Sequence, residues 1–490
     1  MYKKNNRRLG FCFWLSALLL SNTSVWAATD AVDEYITEVM QQRYIPGLQL
    51  AVVKDGKIVK QGNYGVANIQ HQVAVQEQTL FPINSMTKAF TGVAIMQLAE
   101  QGLLRVDDEI GQHLDGLPHK WRSLKINQLM GHTTGLPYIL SQNHPLETIV
   151  LKDVEASWQE VQKRDFQFTP NARFRYNQTG YVILGKIIDK YMPQGFAAFI
   201  TEQQLAPANM VQTADAGFDY LERVVPHQSS QYLHLGAGKY RNFYGEFPYM
   251  LQTAAGLSST ATELANYIIA LEQGELVKDL DTLWRPVRLN NGRTEGFSNL
   301  ENGYALGWQV VQRKFHRGVS ASGADANTMI YYPDDKVSVI VLTNLIGSLP
   351  IQFVDNIAAH YIEGFNAPHK QKVYQPMAYL EQLLEQQGFD DFKATFTQAQ
   401  EDTGVMYDLE ILTEWCSTLV AQGREHDAIA VYKVALSFNN EHPYILSALA
   451  EAYESLGQYQ KAKQYYQRIL VLNANSQYAQ ARLRAVQEKL

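Results

Sequence analysis

Two cysteines stand in 490 residues, Cys12 and Cys416. A disulfide framework and a cysteine-rich zinc site are both excluded by that count. Positive charge is also scarce: Lys and Arg total 42 against 49 Asp and Glu, for a formal charge of −7. No dense basic stretch lies beyond the first ten residues, so nucleic acid is not an expected partner. After residue 28 no apolar run is long enough for a transmembrane helix. No HExxH, paired CxxC, phosphate loop or Gly-x-Ser-x-Gly elbow occurs; Gly256-Leu257-Ser258-Ser259-Thr260 lacks the closing glycine. His113 and His119 lie near Asp107 and Asp108 without metal-ligand spacing, so no metal or organic cofactor is expected. What remains is a globular composition, 46% hydrophobic and 19% charged, with room for about three domains.

The first residues read as an address. Lys3, Lys4, Arg7 and Arg8 form a positive start, and FCFWLSALLL is an apolar stretch of signal-peptide length. Val25 and Ala27 are the small residues of a cleavage site. A signal peptide over 1–27 is expected, with an exported, periplasmic or secreted mature chain. Only Cys416 then remains, so stability must come from packing.

The sequence GLQLAVVKDGKIVKQGNYG at 47–65 reads as a hairpin around Lys54-Asp55-Gly56. Residues 85–103 have helical apolar spacing and end near Gly102. A capped helix is expected over 256–273, with Ser259 or Thr260 as N-cap and Glu263 completing a capping box. Three β-rich runs follow: YALGWQVVQ, NTMIYYP and VSVIVLTN. Asp334-Asp335 reads as a hairpin turn, and an amphipathic helix at 350–364 as the close. Strands at both ends with helices between predict one sheet built from the two chain ends around a helical insertion.

From about 375 the strand signals stop and a period of 34 emerges. Gly423 matches Gly457, Ala428 matches Ala462, and Tyr432 matches Tyr466; Leu436, Phe438 and Asn439 match Leu470, Leu472 and Asn473. This is tetratricopeptide spacing: a small residue for close helix packing, then aromatics that fill the next layer. Gly388 marks a degenerate first repeat, and 477–490 the capping helix. Residues 375–490 are therefore an expected all-α repeat domain. It either docks a protein partner or caps the preceding domain.

Ser85 and Lys88 form the one Ser-x-x-Lys in the chain. The serine would open a helix, whose N–H groups and positive end face a reacting centre. Spacing i,i+3 places the amine on the same face. A serine hydroxyl needs such a neighbouring base to act as a nucleophile at neutral pH. The tetrapeptide is short, and an N-cap serine beside a solvated lysine also satisfies it.

The surrounding segments say more. NYGVAN, TLFPINSMTKAFTGVAIMQLAEQGLLRVDDEI, LMGHTTGLP, RFRYNQTGYVILGKII, AAGLSSTATELANYI, YALGWQV and IYYPDDKVSVIVLTN stand in one order. Over roughly 35–360 this resembles the serine β-lactamase and penicillin-binding superfamily, in the branch of class C β-lactamases, D-specific peptidases and esterases. The resemblance implies an α+β domain over 28–368: an antiparallel sheet flanked by helices, with a helical insertion. It implies Ser85 as nucleophile, with Tyr176 of Tyr176-Asn177-Gln178 sharing a proton with Lys88. A tyrosine can serve so only if adjacent cations depress its pKa from near 10. Gln178 stands where the family has asparagine, one methylene longer at a substrate-binding position.

The family's third element, Lys-Thr-Gly or His-x-Gly on a strand, is matched to His316-Arg317-Gly318. His316 and Gly318 would then bind substrate, and the N–H groups of Ser85 and Val319 would form the oxyanion hole. A histidine there is only partly cationic, which weakens capture of a β-lactam carboxylate. The expected activity is acyl transfer from a small-molecule or peptide substrate, a D-amino-acid peptide or ester in preference to a β-lactam. A class C-like β-lactamase and a non-catalytic binding protein are the rival readings.

Overall fold

A computed structural model describes residues 30–139, 154–218, 223–234, 238–244, 248–297, 301–312, 316–365, 376–403 and most of 412–490. The expected leader lies outside them. Strand β1 (Gly47–Lys54) and strand β2 (Lys57–Asn68) form the expected hairpin. Asp55 and Gly56 both take positive φ, 49° and 69°, which matches the twist of a two-residue hairpin turn. A short β3 (Val73–Ala74) adds an edge. The later strands are β4 (Gly303–Tyr304), β5 (Gln309–Gln312), β6 (Arg317–Gly323), β7 (Asn327–Tyr332) and β8 (Val337–Thr343).

The sheet order is β3-β2-β1-β8-β7-β6-β5-β4, antiparallel throughout. The first hairpin therefore pairs with the last strand, Leu50 opposite Val341, and the two ends of this region share one sheet. β8 is buried along its whole length, as a strand covered on both faces must be.

Side-chain alternation sorts the sheet into two cores. Ala51, Val53, Val319, Ala321, Met329 and Tyr331 face one core. Leu50, Val52, Ile330, Tyr332 and Val339 face the other, against helix α1 (Ala31–Gln42) and a short helix, Val354–Ala358. That short helix stands where a longer one over 350–364 was expected. The first core is dominated by helix α2 (Thr87–Glu100), buried without interruption from Thr87 to Leu98. A helix this apolar on every side has no solvent face. It is preceded by a 3-10 turn, Asn84–Met86, so Ser85 sits in a tight turn just before the α-helix.

Helix α3 (Gln178–Tyr191) starts at Asn177, whose Oδ1 accepts the Thr179 N–H at 2.7 Å. Helix α4 (Ala261–Glu272) is capped by Thr260, whose Oγ1 accepts the Glu263 N–H at 3.1 Å. The second half of the expected capping box is a cross-brace instead. Glu263 accepts from the N–H groups of Gln212 and Thr213, each at 2.8 Å, and ties two segments together.

Beyond residue 375 the described elements are helical. Helix α5 (Pro376–Gln387) and helix α6 (Phe392–Thr403) flank Gly388, at φ 79°. Helix α7 (Glu425–Phe438), α8 (Pro443–Ser455), α9 (Tyr459–Leu472) and α10 (Gln477–Gln487) follow. Gly423 and Gly457 take φ near 70° at the inter-helix turns, where an L side chain would be strained. Ala428, Tyr432, Ala462 and Tyr466 are buried in one core with Cys416. Phe438 and Leu472 lie partly outside it, 50% and 40% exposed, and Asn439 and Asn473 fall outside the described residues. Among the described residues no helix is long and apolar enough to cross a membrane.

Candidate active site

Three side chains from two segments converge beside the end of β6. The Asn84–Met86 turn presents Ser85, and one turn into α2 comes Lys88. The Lys88 Nζ lies 3.4 Å from the Ser85 Oγ and donates to the Ala254 carbonyl at 2.8 Å. It also lies 4.7 Å from the ring centre of Tyr176 and 5.1 Å from that of Tyr181. The Tyr176 phenol lies close enough to the Ser85 side chain to be influenced by it. Sequence reasoning named these three residues, and the structure brings them together.

Their electrostatics differ from expectation. Lys88 is 1% exposed, and among the described residues no carboxylate pairs with it. Burial alone therefore holds its amine well below the ordinary 10.5, toward the neutral form. Tyr176 moves the other way. Burial raises it above the usual tyrosine value, and the nearby Ser85 side chain only partly opposes that. The site thus shifts Lys88 toward the neutral amine and Tyr176 toward the protonated phenol, with no cation depressing the tyrosine.

His132, from the GHTTG segment, fixes the backbone on both sides of Tyr176. Its carbonyl accepts the Arg175 N–H at 2.9 Å, and its Nδ1 accepts the Asn177 N–H at 3.2 Å. Its ring lies 4.4 Å from that of Tyr176. Burial and the nearby Lys88 push the imidazole well below its usual value, which keeps Nδ1 an acceptor. The sequence carried His132 only within LMGHTTGLP, one of the segments of the family resemblance, and gave it no role of its own. Gln178, at the start of α3, lies beside the phenols of Tyr138 and Tyr176. Its Oε1 is buried with no partner among the described residues.

The third element is elsewhere than the sequence suggested. A Cβ on Gly323 would stand 2.0 Å from the Ile83 carbonyl oxygen and 3.1 Å from the Ser85 nitrogen, so Gly323 is the strand glycine against the nucleophile. Gly318 precedes it by five residues, roughly 17 Å along a strand, and projects to the opposite face toward Tyr332 and Ile330. Val319 is roughly 13 Å away along the same strand. It is paired on both sides, with Tyr331 and Val310, so its N–H belongs to the ladder. His316 is farther still, its Nδ1 2.9 Å from Asp335 and its ring 4.9 Å from Phe365 in the other core. None of His316, Gly318 and Val319 reaches the cleft. The position two residues before Gly323 is Ala321, which carries no charge. Pairing between β5 and β6 ends at Ser320, which leaves that edge open from Ala321 to Gly323.

His316→Ala is accordingly expected to keep kcat/KM within about twofold of the parent, as a substitution remote from the reacting groups should. Steady-state kinetics on any turned-over ester checks this, and a hundredfold loss would return His316 to the site.

Comparison with known proteins agrees with this architecture. Residues 32–362 match the family model described as Beta-lactamase, and 419–485 match a tetratricopeptide repeat model. Protein flp of Staphylococcus aureus is 26% identical over 323 residues, covering 64% of this chain and 62% of that protein. A penicillin-binding protein of Bacillus subtilis is 27% identical over 311 residues, covering 59% and 66%. The chain thus spans under two thirds of these relatives' length. Among solved structures, the octameric penicillin-binding protein homologue from Pyrococcus abyssi shares the fold at a TM-score of 0.59, 23% identity, and 72% and 80% coverage. EstCE1, a hydrolase with promiscuous acyltransferase activity, does so at 0.56, 18% identity, and 66% and 97% coverage. An antiparallel sheet with an internal Ser-x-x-Lys helix, and a family model spanning most of the chain, place this protein in the beta-lactamase family of serine hydrolases, with tetratricopeptide repeats behind the hydrolase fold.

Proposed function

We propose that this protein is an exported serine hydrolase working through an acyl-enzyme, on a D-amino-acid peptide or an ester in preference to a β-lactam. The observation that carries it is the meeting of Ser85, Lys88 and Tyr176 at one point. The neutral Lys88 amine takes the Ser85 proton as Oγ attacks the substrate carbonyl. The N–H groups of Ser85 and of Ala324, the residue after Gly323, receive the developing oxyanion, in place of Val319. Tyr176 donates its proton to the leaving group and is reprotonated by the Lys88 ammonium. Water then attacks the acyl-enzyme by the reverse route. The unpaired Gln178 Oε1 suits a substrate amide N–H.

The tilt away from β-lactams rests on Ala321. With no lysine or histidine there, nothing on the strand holds a β-lactam carboxylate. Export rests on the sequence of residues 1–27. The repeat helices are proposed to dock a protein partner, to brace the hydrolase, or both; Tyr44 meets the Glu385 carboxylate of α5 with its hydroxyl 3.3 Å from each oxygen.

The test is intact mass after incubation with a fluorophosphonate and with a fluorescent penicillin. An adduct on Ser85 from the first is expected. No adduct from either would favour the non-catalytic binding reading, and rapid turnover of nitrocefin lost in Ser85→Ala would favour a class C-like β-lactamase.

A pH profile follows from the Lys88 shift. The amine must be neutral to act, so kcat/KM is expected to rise with pH through its depressed pKa. It should then stay level, because Tyr176 ionises only above the ordinary tyrosine range. Between the folded and unfolded pKa of Lys88 the unfolded chain binds one more proton, so the fold gains stability over the same window. A kcat/KM that falls from pH 6 to 9 would contradict Lys88 as base.

A further inference from the structure

We propose that the cleft selects substrates bearing a cationic ammonium group next to the scissile carbonyl, and that the carboxylate of Asp325 recognises it. This rests on the acyl-transfer reading above and names the substrate class for that site.

The argument begins with the turn between β6 and β7. Gly323 packs against the Ser85 nitrogen, and the chain reverses directly after it. Ala324 and Asp325 take φ of 51° and 50°, two successive non-glycine residues in the left-handed region. L residues adopt this only when the surroundings over-determine it, and such strain concentrates at functional sites. The surroundings here are explicit. The Ala326 N–H donates to the Gly323 carbonyl at 3.0 Å, and the Leu349 N–H to the Asp325 carbonyl at 2.7 Å. The Ser348 hydroxyl donates to that same carbonyl at 3.3 Å, and Asn327 Nδ2 to the Pro82 carbonyl at 2.9 Å, just before Ser85. The turn is thus tied to both the nucleophile segment and the 348–349 loop.

Asp325 is placed by this turn two residues from Gly323, within about 8 Å of it along the chain. Residue 325 is exposed, while its carboxyl group lies close enough to the cleft for desolvation to hold it above the ordinary 3.8. Its charge reaches into the cleft, where it is among the influences that hold the Tyr176 phenol high. Among the described residues no lysine, arginine or histidine forms an ion pair with it.

The rest of the cleft makes that charge count. Lys88 is driven toward its neutral form, and the third-motif position is Ala321. The strand therefore presents no cation at 321, and the turn that follows it brings a carboxylate at 325. Arg175, near Tyr138, is a cation on a different segment from the strand and its turn. With the carbonyl oxygen against the N–H groups of Ser85 and Ala324, a substituent on the adjacent carbon lies beside residue 325. An ammonium there meets Asp325, and a carboxylate there is repelled.

The experiment compares amino-acid p-nitroanilides that carry a free ammonium with their N-acetyl counterparts, in both enantiomers, at neutral pH. The wild-type protein is expected to prefer the free-ammonium member by about tenfold in kcat/KM, the size of one partly shielded ion pair. Asp325→Asn should bring the pair to within about twofold, whereas Asp325→Glu, which keeps the charge, should retain a measurable preference. Equal rates for the pair in wild type, or a preference that survives Asp325→Asn, would overturn the inference. If wild type hydrolyses p-nitrophenyl acetate without any ammonium preference, this inference alone has failed. If it hydrolyses nothing and takes no fluorophosphonate, the acyl-transfer reading has failed with it. The wild-type comparison is decisive even where a variant does not fold.

Discussion

Ser85→Ala is expected to lower kcat/KM for every substrate by at least about 1000-fold, and Lys88→Met to do nearly the same. Without the hydroxyl no acyl-enzyme forms. What remains is the help that oxyanion donors and binding give to direct attack by water, a residue of about 10³-fold over the uncatalysed rate in comparable hydrolases. Without the amine the hydroxyl keeps its proton. The Tyr176 phenol cannot take it, since burial holds that group protonated. The two losses should not add: the double variant is expected to be no slower than the worse single one, because the pair acts as one unit. Stability separates this from misfolding. Lys88→Met removes a buried amine that has no counter-ion among the described residues, but leaves the Ala254 carbonyl without its donor. These contributions oppose each other at about 1 kcal/mol apiece, so thermal unfolding should stay close to wild type. Lys88→Met with full activity would remove the amine from the mechanism.

How far the sequence reached this site depended on how local each signal was. Ser85 and Lys88 sit within one turn, and the glutamine-for-asparagine change at 178 leaves Tyr176 identifiable from its neighbours. The hairpin was legible because Asp55-Gly56 can take the two positive φ values its turn needs. The repeats were legible because Gly423 and Gly457 recur at the same junction. The strand element was not legible, for a physical reason. Both Gly318 and Gly323 lie on β6, and only the approach of Ile83 from a distant part of the chain decides which one meets the nucleophile. A lysine or histidine two residues earlier would have marked the right glycine. Ala321 gives no such mark, and His316 offered a false one while belonging to a pair with Asp335 on the far face. Glu263 misled in the same way, since a box and a cross-brace require the same residue three positions after the cap.

Gly323→Ala against Gly318→Ala turns that correction into a measurement. At 323 the added methyl would lie 2.0 Å from the Ile83 oxygen and 3.0 Å from its carbonyl carbon. Both are backbone atoms, held by the Leu257 pairing at 2.9 Å on one side and the 3-10 turn on the other. They cannot swing aside as a side chain would. Either β6 withdraws or the Ser85 turn does, by about 1 Å, and a displacement of that size at a reacting centre costs on the order of 100-fold in rate. Overpacking of this kind also costs about 1–3 kcal/mol of stability. At 318 the methyl would meet ring carbons of Tyr332 at 3.1 and 3.3 Å and the Ile330 Cδ1 at 3.5 Å, in the other core. Those atoms can yield by a few tenths of an ångström. Gly318→Ala should therefore stay within about twofold in kcat/KM and cost under about 1 kcal/mol. Rates and unfolding midpoints of the two variants, measured side by side, decide between the glycines. Should Gly318→Ala be the inactive one, the strand register drawn against Ser85 is wrong, and Ala324 loses its place as an oxyanion donor.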